Sequence, residues 1–557
     1  MHSPLSSPRL VVVFALLVAA VSAAVTPNSN LSPDALASRF LAQATFGPSP
    51  EGLAELRAMN NDFNGWIDRE AAKPVTYSVP LLQAAVSAGQ ITTADRATNR
   101  RARTQVMLTA PDQLRQRVAY ALSQIVVISD ADSNVQNGRD GSSSYYDMLA
   151  RHALGNFRDL LTDVTRHPMM GRYLSHYKNR KSNAAAGTRP DENYAREVMQ
   201  LFTIGLYQLT ANGNYINDAS GRPLETYNSD DVSNFARVFT GFTDASTNNT
   251  GTGTGRTDFP SASANYVDPM RMWDPQHDSD AKTLLRYPGA RKPDLPAGQS
   301  GLQDVSDALD NLFEHPSTAP FICRQLIQRL VTSNPSSGYV GRVANTFVAT
   351  RGNMVAVVKA ILLDTEARDP GFITDREHGK LREPFLRFTH LLRTFRFSIN
   401  NTSATLPYDF GTVVAEGTIG QFPMGSPSVF NFYSPDYEPP GPISDARLVG
   451  PEFQILNSVF AITIPNAINT LIQTGAGQFR LNLTEQESLA ANPAALIDHL
   501  DLWLTHGTLS ANSRAAILRA VEGVTTAMVP AGSNLNQTRA RLAVYLVATS
   551  SDYAILK

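Results

Sequence analysis

The chain has 557 residues, of which 42% are hydrophobic, so it can bury a large core, and its length alone would allow about three or four domains. Its 48 Lys and Arg residues nearly balance its 50 Asp and Glu residues, and the net charge of −2 argues against a nucleic-acid-binding protein or one held on an anionic membrane surface. Cys323 is the single cysteine, so packing must hold the core without an intramolecular disulfide.

The first 24 residues have the pattern of a cleaved secretory signal. Arg9 precedes an apolar run over residues 10–21, and small residues follow before Pro27. The run is shorter than the ~20 residues that cross a bilayer, so an uncleaved anchor is the weaker alternative. We therefore expect residues 1–24 to be removed on export and residues 25–557 to form a periplasmic or extracellular protein without a transmembrane anchor.

The chain from residue 32 to residue 204 is predicted to be mostly helical, because apolar residues recur there every three or four positions. One helix follows Asp112, and another begins after Gly155 and ends at Pro168. The same stretch contains a cluster of arginines with aspartates and apolar residues between them, so we expect a solvated or ion-paired face. The cluster consists of Arg96, Arg100, Arg101, Arg103, Arg115 and Arg117.

Residues 191–205 are the most informative segment, because their helical spacing separates an apolar face from a polar arc. The face predicted to point inward carries Tyr194, Val198, Leu201, Phe202 and Gly205. The outward arc carries Glu192, Asn193, Arg196, Glu197 and Gln200. Thr188, followed by Pro190 and Asp191, resembles a capping-box start for this helix.

The polar arc supports two hypotheses. Glu192 and Glu197 are candidate catalytic residues, because two carboxylates beside Arg196 can have their pKa values pushed apart and then serve as acid and base. Asn193 is a candidate contact for a substrate. The alternative is a structural polar network, since Glu192 with Arg196 is a favourable i, i+4 ion pair and Asn193 with Glu197 is a second i, i+4 pair.

Residues 211–300 are rich in turns and prolines, which predicts a long irregular insertion with a few short hairpins. The insertion holds a candidate catalytic pair, His277 and Asp278, in the kind of segment where catalytic groups are often found. The carboxylate could orient the histidine and raise its basicity. Lys282 is a candidate site for an anionic group, and Trp273 is a candidate substrate contact. An ordinary surface turn is the alternative for His277.

Helical spacing returns after residue 300 and continues, with interruptions, to the end of the chain. The predicted helices lie at 228–242 within the insertion and then at 305–313, 326–330, 339–347, 354–363, 383–395 and from 451 onward. The loop at 420–443 breaks this pattern with prolines and aromatic residues. Phe430 and Tyr433 in this loop are candidate rings for stacking on sugar or peptide, and an ordered coil packed over helices is the alternative.

Several common reaction centres are excluded by inspection. The sequence contains no Gly-x-Ser-x-Gly elbow, no His-Glu-x-x-His zinc helix and no phosphate-binding loop. Asp130, Asp132 and Asn134 match the first ligand positions of an EF-hand, but Val135 and Gly141 replace the required glycine and acid; calcium elsewhere in this turn is kept as an alternative. No metal site is predicted and no cofactor can be named. Because strands do not alternate with helices, we predict a mainly α fold forming one globular multi-helix unit.

The chain resembles a bacterial family known as domain of unknown function 1800 over nearly its whole mature length. The resemblance is carried by residues 191–205 and by further landmarks at 41–47, 117–123, 231–241, 277–285, 321–330 and 420–433. It implies an exported, helix-rich bacterial protein. Members are often encoded beside another exported family, domain of unknown function 1501, which implies a partner protein in the envelope or outside the cell.

Two functions are therefore expected from different classes. As an enzyme, the protein would be an extracytoplasmic hydrolase or lyase acting on a polymer, with a glycan as the best candidate, Glu192 and Glu197 as acid and base, and His277 with Asp278 assisting. As a non-catalytic binding or scaffold protein, the same helix would form a buried network and the aromatic loop would dock a polymer or partner. A cleft exposing Arg196 together with both glutamates and His277 favours the enzyme, the leading hypothesis; burial with every group paired favours the scaffold.

Overall fold

The computed structural model describes residues 31–245, 258–260, 264–402 and 406–557. Within these ranges the chain is mainly helical, and its strands are two or three residues long and join in antiparallel pairs. The predicted mainly α fold is therefore confirmed. The expected signal at residues 1–24 and the glycine-rich part of the insertion at 251–255 lie outside the described residues.

The helices are short to medium in length, and many begin at a side chain that caps the first turn. In the first helix, for example, Ser32 Oγ accepts from the Ala35 amide at 3.2 Å and Pro33 takes the first helical position. The helices before residue 240 are α1 (Pro33–Ala44), α2 (Pro50–Ala58), α3 (Phe63–Ala72), α4 (Val79–Ser87), α5 (Arg96–Thr109), α6 (Gln113–Leu122), α7 (Ser133–Gln136), α8 (Gly141–His152), α9 (Phe157–Arg166), α10 (Pro168–Tyr173), α11 (Asn193–Gln200) and α12 (Ser229–Val238).

The second half of the chain is also helical, and one π-helical turn at Asp501–Thr505 extends the helix before it. The helices here are α13 (Gly301–Phe313), α14 (Thr318–Leu330), α15 (Ser337–Ala349), α16 (Met354–Leu362), α17 (Thr365–Arg368), α18 (Gly371–Thr374), α19 (Pro384–Thr394), α20 (Glu416–Ile419), α21 (Pro442–Asp445), α22 (Phe460–Gln473), α23 (Thr484–Leu489), α24 (Pro493–Leu500), α25 (Ala511–Glu522), α26 (Leu535–Ala548) and α27 (Ser551–Ala554). The strands are β1 (Phe242–Thr243), β2 (Arg271–Met272), β3 (Lys282–Thr283), β4 (Asp294–Leu295), β5 (Lys380–Leu381), β6 (Phe397–Ile399), β7 (Phe479–Leu481) and β8 (Ile555–Leu556).

One apolar core holds these elements together. A single cluster of buried side chains runs from Ala37 to Tyr553, and a small satellite cluster lies around Leu82 and Ala102. Distant parts of the chain meet directly, because β5 pairs antiparallel with β8. The chain is therefore one globular unit, as predicted. No helix in the described ranges is both long and apolar enough to cross a membrane.

The two irregular segments have the predicted character. In the insertion, β1 pairs with β2 and β3 pairs with β4, which gives the expected short strand pairs around α12. The loop at 420–443 has no helix until Pro442 opens α21. These segments supply two of the candidate site regions, and the core helices hold them in place.

The signature helix α11 is shorter than predicted. It spans Asn193–Gln200, and Leu201 and Phe202 continue inward as a turn that leads to Gly205 at φ +73°. The predicted cap at Thr188 is wrong, because Asp191 Oδ1 accepts from the Asn193 amide at 2.9 Å instead. A polar side chain two residues before an amide can satisfy it as readily as a capping box does.

Candidate functional site

The polar arc of α11 is divided between the surface and the interior. The side chains of Glu192 and Arg196 are nearly half exposed, and Arg196 Nη2 lies 3.4 Å from Glu192 Oε2. Ser233 Oγ also donates to Glu192 Oε1, at 2.9 Å. Asn193 is exposed whereas Glu197 is buried, so the second predicted i, i+4 pair is absent. Exposed i, i+4 ion pairs stabilise a helix by only about 0.3–0.5 kcal/mol, so the surface pair contributes little to the fold.

Glu197 is 6% exposed, and its predicted place on the outward arc is wrong. α11 packs against α12, and burial by such tertiary packing is not visible in the periodicity of α11 alone. Its Oε2 makes no hydrogen bond with the described residues. Burial raises the pKa of the Glu197 carboxyl, and the charge of Arg196 opposes that rise only in part. A carboxyl that keeps its proton above the ordinary range can serve as a proton donor.

His277 lies in a closed network and not in a surface turn. It is 1% exposed; its Nδ1 lies 3.0 Å from the Thr240 carbonyl and its Nε2 lies 3.0 Å from Asp304 Oδ2. Both ring nitrogens are therefore used. Lys282 Nζ, also buried, donates to the same Asp304 oxygen at 2.7 Å. Burial acts to raise the pKa of Asp304, but the hydrogen bonds from His277 and Lys282 outweigh it and lower this pKa.

Asp278 has a different partner from the one its position suggests. The predicted carboxylate for His277 was its neighbour Asp278, but Asp278 accepts two hydrogen bonds from Arg237, each of 3.0 Å. Asp278 also accepts from Lys282 through its backbone carbonyl. The carboxylate that orients the histidine is Asp304, in α13. Every polar group of this network thus has a protein partner, as in a structural ion network.

The signature helix and the His277 network are neighbours, and Asn179 bonds to the backbone beside each of them. Asn179 Oδ1 accepts from the Asp191 amide at 2.8 Å, and the Asn179 carbonyl accepts from the Gly241 amide at 2.8 Å. No hydrogen bond or ion pair between described residues links either glutamate of the polar arc to His277. The structure therefore does not bring these candidate catalytic groups into one exposed constellation.

The aromatic candidates differ in how accessible they are. Phe430 is 56% exposed, whereas Tyr433 is 2% exposed, carries the Arg329 guanidinium 4.5 Å above its ring and donates its hydroxyl to Gln124 Oε1 at 2.7 Å. Tyr433 is therefore a core residue whose ring is already occupied. Trp273 is half-buried, with the Arg271 guanidinium 5.7 Å from its ring centre.

A cleft of about 460 Å³ lies beside the first part of the aromatic loop. Its apolar wall includes the rings of Phe432 and Phe460, and its polar groups belong to Arg96, Glu416, Gln454 and Asn457. The cleft also reaches Ala131, Gly420, Gly425, Pro427 and Ile455. Its size and its mixture of rings with a few polar groups are typical of a small-ligand site.

A network of ion pairs holds Arg96 and Glu416, the two charged residues that line the cleft. Asp130 is buried, and it accepts from Arg96 Nε at 3.0 Å, from Arg100 Nη2 at 2.6 Å and from Arg103 Nη2 at 2.9 Å. Glu416 pairs with Arg96 at 3.1 Å and also with Arg100. Although burial acts to raise it, these arginines lower the pKa of Asp130. Three guanidinium groups already satisfy Asp130, so this carboxylate is poorly placed to bind calcium.

The sequence predicted only some of the residues that form this cleft. The expected ion-paired face is confirmed for Arg96, Arg100 and Arg103, and the loop containing Phe432 was marked as aromatic. Glu416, Gln454 and Phe460 had no local signal, and Asp304 was missed in the same way for the His277 network. Each of them meets its partners across a large sequence separation, which periodicity and short motifs do not record.

The sequence profile of a family described as "Protein of unknown function (DUF1800)" matches residues 39–555, nearly the whole chain. No curated protein and no solved structure matches the chain. The match covers α2 through α27 and includes the signature helix, the His277 network and the cleft. The chain therefore belongs to the DUF1800 family of proteins of unknown function.

Proposed function

We propose that this protein works outside the cytoplasm as a glycan-binding protein and that the glycan occupies the cleft beside the aromatic loop. The observation that carries the proposal is the 460 Å³ cleft with Phe432 and Phe460 in its wall. Aromatic rings can stack on the apolar faces of sugars. The amide oxygens of Gln454 and Asn457 already accept from backbone N–H groups, so their amide nitrogens are the groups that can donate to sugar hydroxyls.

The charges of the cleft favour binding over bond cleavage. Hydrolysis of a glycosidic bond ordinarily needs two carboxyl groups on either side of the bond. Among the described residues that line the cleft, Glu416 is the only acid, and two arginines hold its carboxylate. The groups of the His277 network are likewise committed to one another. A ligand can therefore bind while the ion pairs of the cleft stay intact, whereas catalysis would require these ion pairs to break.

The binding hypothesis is tested by titrating the purified protein with soluble polysaccharides and with peptides in a calorimeter. We expect Phe432→Ala to weaken glycan binding at least about fivefold, since a stacked ring contributes roughly 1 kcal/mol beyond its buried area. Tyr215→Ala is the matched control, because Tyr215 is an aromatic residue that is 51% exposed and does not line the cleft. Glycan binding that Phe432→Ala leaves unchanged would contradict the proposal, and so would binding of peptides alone.

A hydrolase or lyase is the second candidate function, and one observation favours it. Glu197 combines a buried carboxyl, a raised pKa and an oxygen without a partner among the described residues, which together suit a general acid. Release of reducing ends from a polysaccharide by the wild-type protein, and its loss in Glu197→Gln, would establish that activity. Polysaccharide that stays intact with the wild-type protein would leave binding as the function.

We further propose that the protein works together with an exported protein of the domain-of-unknown-function 1501 family. The support for this proposal is the family resemblance, which implies joint work outside the cytoplasm. Co-purification of the two proteins from the periplasm or culture medium tests it. Two proteins that migrate independently in the presence and absence of glycan would overturn it.

A further inference from the structure

A second, much smaller cavity lies inside the core, between α1, α6, α19 and the β5–β8 pair. Its volume is about 20 Å³, enough for one body of the size of a water molecule. All its lining residues except Ala42 and Leu386 are buried. The lining consists of Ala42, Thr45, Phe46, Gly47, Arg117, Lys380, Arg382, Leu386, His390 and Leu556.

The charges around this cavity are unbalanced. Arg117, Lys380 and Arg382 line it, each at most 5% exposed, and its lining contains no carboxylate. His390 adds no charge to the cavity. Its Nδ1 lies 2.7 Å from Arg382 Nη1. Burial, and then the charge of Arg382, holds the pKa of His390 well below its usual value. The ring is therefore a neutral acceptor for Arg382.

Two of the three cations also have unused donors. Arg117 donates through Nη2 to the Arg329 carbonyl at 2.7 Å, while its Nε and Nη1 have no partner among the described residues. The two terminal nitrogens of Arg382 form hydrogen bonds with His390, His506 and the Leu504 carbonyl. Its Nε has no hydrogen-bond partner among the described residues. Three nitrogen atoms of two buried guanidinium groups that line the cavity thus have no hydrogen-bond partner among the described residues.

Two neighbouring carboxylates remove only part of this imbalance, and neither pairs with Arg382. Glu452 lies 2.8 Å from Lys380 and compensates that ammonium group. Glu383 accepts from the Gln124 amide at 2.7 Å and from Tyr120, and it acts on Arg117 only through its charge. None of the hydrogen bonds of Arg382 described above goes to a carboxylate. A buried guanidinium group without a counter-charge is costly, so an added negative charge would stabilise the fold.

We propose that this cavity binds one monatomic anion of the size of chloride, held by the N–H groups of Arg117 and Arg382. An anion accepts from several donors at once, whereas a water molecule would also have to place its own two protons among cations. A volume of about 20 Å³ suits a monatomic anion better than phosphate, sulfate or the carboxylate of a larger ligand. This site is separate from the glycan cleft and does not depend on the proposed function.

Anomalous diffraction from crystals of the wild-type protein tests the site directly. Crystals grown in sodium bromide are measured at the bromine absorption edge, and crystals grown in sodium chloride are measured at a long wavelength that reveals chloride. An anomalous peak between Arg117 and Arg382 in either crystal supports the proposal. If neither crystal shows an anomalous peak and the cavity contains only water density, the proposal is overturned.

Thermal melting tests the same site in solution. When chloride replaces methanesulfonate at constant ionic strength, we expect the melting temperature of the wild-type protein to rise by about 2 °C, because a ligand that binds the folded state stabilises it. Arg382→Met should abolish this rise, and Arg396→Met, at an exposed arginine, should keep it. Ala42→Val narrows the cavity without changing a charge, so it should also reduce the rise in melting temperature. This variant provides the test if Arg382→Met does not fold. Equal melting temperatures in both salts for the wild-type protein would overturn the proposal.

Discussion

Burial gives the two glutamates of the polar arc different chemistry. Glu192 is at the surface with Arg196 and Ser233, so its carboxylate is solvated and paired. Glu197, five residues further along the same helix, is 6% exposed and has one oxygen without a partner among the described residues. Burial therefore raises the pKa of Glu197, whereas Glu192 remains exposed to solvent.

Glu197→Gln should make the protein more stable at neutral pH. The folded state holds the Glu197 proton more tightly than the unfolded state does, so the free energy of unfolding falls as the pH rises from the ordinary value of 4.5 through the raised pKa. Glutamine cannot ionise and removes this loss, while Arg196 keeps Glu192 as its partner. The gain should shrink below pH 4.5, which melting curves over a pH series will show. Glu192→Gln is the control, with little change expected at any pH; a variant at Glu197 that is less stable at neutral pH would contradict the argument.

Asp304→Asn should destabilise the protein strongly, because it leaves the buried Lys282 ammonium with only the Asp278 carboxylate, which lies 4.0 Å away and is already held by Arg237. Breaking a buried ion pair from one side costs about 3–5 kcal/mol. Chemical denaturation measures this loss, with Asp310→Asn as the matched control, since Asp310 lies on the same helix α13 and its side chain is 55% exposed. Equal losses for the two variants would show that the network of His277, Lys282 and Asp304 does not act as a buried ion cluster.

At the scale of elements, the sequence predicts helices well wherever one face is buried and the ends carry local signals. The helix predicted at 354–363 is observed at Met354–Leu362, and Asn353 caps it by accepting from the Ala356 amide. The signature helix is the instructive failure. Its apolar spacing continues through Leu201 and Phe202, although the helix ends at Gln200, because a turn can also hold inward-facing side chains at that spacing.

Gly205 ends this turn and sets how closely it approaches α14. Its φ of +73° suits glycine, and an added Cβ would lie 2.8 Å from the Phe321 ring. Gly205→Ala should therefore cost more than the ~1–2 kcal/mol of the backbone conformation alone. Gly221→Ala isolates that backbone cost, because Gly221 has φ +82° and no atom within 4 Å of its added Cβ. Denaturant midpoints compare the two variants, and a smaller loss at Gly205 than at Gly221 would refute the predicted contact.

At the scale of the whole molecule, the sites depend on contacts that no local pattern records. Arg96 and Glu416, which meet at the cleft, are 320 positions apart. Arg117 on α6 and Arg382 after β5 line one cavity from distant parts of the chain. The fold class followed from periodicity because each helix carries its own apolar face. The pairing of the charges did not follow, since it depends on how these faces dock.

The single core predicts a single unfolding event. Length alone would allow several domains, each with its own transition, but one buried cluster runs from Ala37 to Tyr553 and β5–β8 joins distant parts of the chain.

Trp66, Trp273 and Trp503 report from the first helices, the insertion and the last third of the chain. Variants that keep one tryptophan, with the others replaced by phenylalanine, should show fluorescence midpoints in denaturant that coincide with one another and with the loss of helical circular dichroism. Reductant should leave these midpoints unchanged, because Cys323 is the single cysteine and is buried. A separate midpoint for Trp273 would mean that the insertion unfolds on its own, and a separate midpoint for Trp503 would mean that the last third of the chain is an independent domain.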